Sequence, residues 1–117
     1  MRTWFSMVTL LATGAVACGS SLPPPNDDWA QAQADLGRAE AGGAPSVPDA
    51  KLHLQLAAED LQKSKDLMGQ DNRRAESLIS LARTEAQLAL SLAKAARAMD
   101  SAMQAEADLQ RAKGGTQ

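Results

Sequence analysis

The chain has 117 residues and a formal net charge of −2, with 24 alanines, 15 leucines and only three aromatic residues. That length allows one small domain, and the shortage of aromatic and β-branched side chains argues against a sheet, whose pleated surface such residues pack. One histidine and one cysteine leave little for catalysis, and mild acidity excludes a chain built for nucleic acid, which needs clustered positive charge.

Met1-Arg2-Thr3 carries one positive charge ahead of an apolar run from Trp4 to Ala12. The run has the length of a signal h-region and falls short of the roughly 20 apolar residues that span a bilayer. Small residues follow at Ala15-Val16-Ala17, and then the single cysteine, Cys18. Small residues directly before a lone cysteine resemble the lipobox of bacterial lipoproteins. That resemblance implies cleavage between Ala17 and Cys18 and acylation of Cys18. Ala15 stands where Leu is commonest in that pattern. Ala15-Val16-Ala17 also reads as an ordinary signal-peptidase site, which would yield a secreted chain with an unpaired thiol. An exposed thiol is a liability in an oxidising compartment, which favours lipidation. Acyl chains contribute about 0.8 kcal/mol per buried methylene, so two or three of them anchor a chain firmly. Gly19, rather than Asp, follows Cys18. In proteobacterial lipoproteins this favours the outer membrane, with the inner membrane and secretion as alternatives.

Residues 18–27 read as a proline-rich tether containing Pro23-Pro24-Pro25. In an extended polyproline-like form it would reach on the order of 25–30 Å. A first helix is expected over Asp28–Ala41, with Asn26, Asp27 and Asp28 offering capping oxygens. Trp29, Ala32, Leu36 and Ala39 share one face of it. Gly42-Gly43-Ala44-Pro45 stops it. Ser46 and Asp49 bracket Pro48 in a capping arrangement for a second helix that runs to about Met68.

Gly69 ends that helix, and Asp71 or Asn72 caps a third that runs from Arg73 to about Ala112 without glycine or proline. Ala75, Ile79, Ala82, Ala86, Ala89, Ala93 and Ala96 alternate steps of four and three, a heptad seam. Beside it run Leu78, Leu81, Glu85, Leu88, Leu92, Ala95, Met99 and Ala102, with Glu85 the one interruption. The expected fold is all-α: an antiparallel helical hairpin with a short packed N-terminal helix, coiled-coil-like. Residues 28–113 form the helical domain and residues 114–117 a tail. A second helix of about 20 residues covers only half of the third. Residues beyond about 95 then lack a partner within the chain. The seam of residues 75–103 is the surface expected to face a second copy or another envelope protein, with Ala89, Leu92, Ala96, Met99 and Met103 as the partner-binding residues.

No catalytic residue, metal site, cofactor or small-molecule substrate is expected. His53 would have to serve any Ser–His or Cys–His pair, and Asp49, four residues earlier, is its expected surface partner. Glu59-Asp60 and Asp27-Asp28 are sequence neighbours that point about 100° apart on a helix, so they do not share a proton. Arg73-Arg74 with Lys63 and Lys65 could cluster at one end of the hairpin, or form ordinary charged surface. Trp29 either packs over the helical pair, the favoured reading, or rests at a membrane interface.

Together these features resemble the bacterial domain-of-unknown-function family 4398. The resemblance rests on a lipobox, the helix Trp29-Ala30-Gln31-Ala32-Gln33-Ala34-Asp35-Leu36-Gly37-Arg38-Ala39-Glu40, and the turn Gly43-Ala44-Pro45. It continues through a helix containing Leu54 to Leu61, then Ala75-Glu76-Ser77-Leu78 leading an alanine-repeat helix. It spans roughly residues 29–108 and implies a helical module of an envelope lipoprotein, with no catalytic residues to carry over. Here Ser46-Val47-Pro48 follows Pro45 as a small insertion, and no peptidoglycan binding is carried over from relatives that bear an OmpA-like domain. The expectation from sequence is an outer-membrane lipoprotein anchored through Cys18, facing the periplasm in a structural or adaptor role. A periplasmic chaperone or assembly factor holding apolar clients is the alternative.

Overall fold

A computed structural model describes residues 22–115. Helix α1 spans Asn26–Ala41, a single 3₁₀ turn Ala44–Ser46, helix α2 Pro48–Leu67 and helix α3 Asn72–Gly114. No strand occurs among the described residues. Helices α2 and α3 pair as an antiparallel hairpin, and α1 lies along it, chiefly on α3. The tether tail, the signal segment and Cys18 fall outside the described residues, as do residues 116 and 117.

The helix starts differ from expectation. Helix α1 begins two residues early, its N-cap is Pro25, and no side chain caps it. Asn26, Asp27 and Asp28 sit inside the first turn, where the two aspartates place negative charge at the positive end of the helix dipole. Ser46 does not cap α2 either. It is held in the 3₁₀ turn, so Val47 becomes the N-cap without a side-chain bond, and Pro48 opens the helix. The third start follows the sequence: Asp71 accepts from the Arg74 backbone N–H at 3.1 Å. Asn72 accepts from the Gly69 N–H at 2.7 Å and tightens the same turn.

The heptad seam of α3 is the core. Ala75, Ile79, Ala82, Ala86, Ala89 and Ala93 are all buried, and only Ala96 is half-exposed. Facing them are Ala50, Leu54, Ala57, Leu61 and Ser64 of α2, and Ala32 and Ala39 of α1. Small side chains let the helix axes close in, while Ile79, Leu54 and Leu61 fill what space remains. Ser64 is accommodated because its hydroxyl donates to the Leu61 carbonyl at 2.7 Å. Trp29 packs on the lower cluster with Ala32, Leu61, Ile79 and Ala82, and its indole Nε1 donates to the Leu61 carbonyl at 3.3 Å. Of its two expected placements, the structure has the packed one.

Two adjacent glycines permit the crossing from α1 to α2. A Cβ on Gly42 would collide with Leu90 Cδ1, and Gly43 has φ +88° with the Arg97 guanidinium against it. An L side chain at Gly43 would be strained as well as crowded.

Candidate functional site

Helix α3 has 43 residues and measures about 64 Å at 1.5 Å per residue, whereas α2 has 20 and measures about 30 Å. Their shared end is the turn Met68–Asp71, so α2 runs out near the middle of α3. Cover extends slightly further because α1 and the 3₁₀ turn continue it. Ala39, Ala44 and Ala50 pack with Leu54, Ala89 and Ala93. Arg97 donates to the Gly42 carbonyl and closes the bundle. From residue 97 to residue 115 every side chain is exposed.

This geometry sorts the expected partner-binding residues. Ala89 is fully buried in the core and cannot meet a partner, which corrects its assignment. Ala50 and Leu54 of α2 cover it together with Ala39 and Ala44. Leu92 is half-buried against the same cluster, and Ala96 is half-buried at its edge. Met99 and Met103 are 67% and 60% exposed, and Leu109 is 53% exposed. The large apolar side chains exposed on the overhang are therefore Met99, Met103 and Leu109.

The tether joins at the opposite end. The Leu22 carbonyl accepts from the Asn72 side-chain amide at the start of α3. Leu22 to Asp28 share a shallow cleft with Glu76. Residues 22–25 thus lie against the bundle, and the tether is shorter than the sequence-based reach. Cys18 and Ala17 lie outside the described residues, four or more positions upstream of Leu22.

The charged side chains are engaged in ways the sequence pattern did not predict. His53 Nδ1 meets Glu85 Oε2 at 2.5 Å across the α2–α3 interface, so Glu85 rather than Asp49 is its partner. The interruption in the leucine seam is the position that reaches this imidazole. Asp35 is only 7% exposed and bonds both Arg38 and Arg83, the latter at 3.1 Å, tying α1 to α3. Its hint in the sequence is an aspartate between Ala32 and Ala39 on the apolar stripe of α1. Lys63 lies 3.8 Å from Glu59 and 3.6 Å from Asp60, and the Lys65 ammonium lies 5.2 Å from the centre of the Trp29 ring. These two lysines therefore face different sides of α2. Among the described residues no group of acidic, histidine and cysteine side chains is arranged to hold a metal ion. None of the described helices is long and apolar enough to cross a membrane. Comparisons with protein-family models, curated proteins and solved structures return no match.

Proposed function

We propose that the chain is a lipid-anchored envelope lipoprotein, held through Cys18 and facing the periplasm from the outer membrane. Its role is structural or adaptor-like and non-catalytic, and it needs no cofactor. The observation that carries this reading is the opposition of two ends. The tether meets the bundle beside Asn72, while the uncovered part of α3 points the other way. An anchor four residues before Leu22 leaves Met99, Met103 and Leu109 about 40–55 Å along the helix from the membrane-side turn. A stiff helix carrying a methionine-rich stripe at that distance suits reaching a partner across the envelope. The lipobox-like Ala15-Val16-Ala17-Cys18 and the resemblance to family 4398 support the same location.

Metabolic labelling with a palmitate analogue tests the anchor: label is expected on the native chain and absent from Cys18→Ser. An unlabelled native protein overturns it. Cross-linking in the intact envelope tests the adaptor role. Partner adducts are expected to disappear in the Met99→Asp, Met103→Asp double variant while helicity is kept. A second reading, a periplasmic chaperone, draws on the exposure of both methionines, since adaptable thioether side chains suit varied apolar clients. It requires capture of several unrelated unfolded clients rather than one defined partner.

A further inference from the structure

A different surface, on the covered half of the molecule, carries an inference independent of the anchor. Arg83 and Leu90 touch α1 through Asp35 and Gly42. Glu85 and Leu88 lie two residues from them, about 200° round α3, and so on the side of the hairpin that α1 leaves open. There Leu81, Glu85 and Leu88 form one stripe of α3, alongside His53 and Leu56 of α2, with Leu52 at its outer edge about 100° round α2 from His53. The four leucines are 46%, 40%, 54% and 38% exposed in the order Leu81, Leu88, Leu52, Leu56. The His53–Glu85 contact fixes the register of the two antiparallel helices. Leu56 therefore stands level with Leu81 on one side of the polar pair, and Leu52 level with Leu88 on the other.

We infer that this face binds a second copy of the chain, in a parallel two-fold dimer whose axis runs along the hairpin. With that axis, α2 of each copy meets α3 of the other at the same height. Leu56 then faces Leu81 of the second copy, Leu52 faces its Leu88, and His53 faces its Glu85. Such an interface is self-complementary, as a two-fold contact requires. Within one chain only Nδ1 of His53 and Oε2 of Glu85 are joined. With the imidazole carrying both of its protons, Nδ1 donates to its own Glu85 and Nε2 is placed to donate to Oε1 of the second copy's Glu85, so the half-buried polar pairs bridge the copies at the centre of an apolar patch. An antiparallel dimer would instead set His53 against His53 and Glu85 against Glu85. Opposed carboxylates repel, and charge complementarity selects the parallel form. The hairpin face measures about 30 Å by 20 Å, roughly 600 Å² per copy. That places the pair at the lower end of specific interfaces, near 1,200 Å² in total, and predicts reversible association.

The full chain carrying Cys18→Ser, in non-ionic detergent, is the material for the test. Sedimentation equilibrium is expected to show a monomer–dimer equilibrium. Leu81→Glu or Leu88→Glu, both at exposed positions, should weaken it at least tenfold with the circular dichroism unchanged. Leu109→Glu on the overhang should leave it intact. A monomer at all concentrations, or a dimer lost with Leu109→Glu and kept with Leu81→Glu, overturns the inference. Spin labels at Gln70→Cys, measured without any change to the interface, report orientation. A parallel pair brings them within about 25 Å, and an antiparallel pair holds them about 50 Å apart, which would also overturn it. Neither outcome bears on palmitate labelling of Cys18, so the anchor and the dimer fail separately.

Discussion

The two halves of α3 are both rich in alanine and have different fates. From Ala75 to Ala93 the alanine seam lies under α1, α2 and the 3₁₀ turn, and its members are buried. From Ala98 to Ala107 alanine is more frequent still, yet every residue is exposed. Alanine content therefore does not distinguish a core from a surface in this chain. Large aliphatic residues do: Leu78, Ile79, Leu81, Leu88, Leu90 and Leu92 lie on the covered half, against Met99, Met103 and Leu109 on the overhang. What separates them is the length of the covering elements and the point at which Gly42-Gly43 turns the chain back.

Paired substitutions break this comparison most directly. Ile79 is 1% exposed, and Ile79→Ala should lower the unfolding free energy by about 2–5 kcal/mol. Leu109→Ala should change it by less than about 0.5 kcal/mol in the same chemical denaturation series. Enlarging alanines gives the next effect. Ala89→Leu has no room and should cost about 1–3 kcal/mol, whereas Ala105→Leu should stay within about 0.5 kcal/mol.

Ion pairs sharpen the contrast further. Asp35→Ala removes the buried carboxylate shared by Arg38 and Arg83 and should cost about 1–2 kcal/mol, moderated because both arginines reach solvent. Asp108→Ala breaks only the exposed pair with Arg111 and should cost less than about 0.5 kcal/mol. The smallest substantial effect is expected from Asp71→Ala, about 1 kcal/mol for the lost cap on α3. Each is read by urea titration followed by circular dichroism. Equal losses in the two members of any pair would mean that the overhang is packed in solution.

Much of this contrast was legible in the sequence because helix periodicity is local. Steps of four and three from Ala75 to Ala93 named the buried residues one by one, and Gly42-Gly43, Gly69 and Asp71 marked the turns. Capping was less legible. Ser46 has the chemistry of a cap but is held in a 3₁₀ turn, and Pro25 serves without the chemistry. The pairings between helices were hidden because they depend on register across 32 and 48 residues, as His53–Glu85 and Asp35–Arg83 do. A polar residue interrupting an apolar stripe signalled each pair without naming its partner. The burial of Ala89 is not legible from α3 alone, because its cover is shared between Ala50 and Leu54 of α2, Ala39 of α1 and Ala44 of the 3₁₀ turn.

One consequence of the uninterrupted α3 concerns how its outer part becomes ordered. An isolated helix must first form a costly hydrogen-bonded nucleus. Here the packed turns below Arg97 supply that nucleus, and alanine-rich residues beyond it need only propagate. The overhang should therefore fray gradually from Gly114 inward on warming, ahead of and less sharply than the bundle melts. A partner docking on Met99 and Met103 would meet turns already wound, and its binding would lose little affinity to chain ordering.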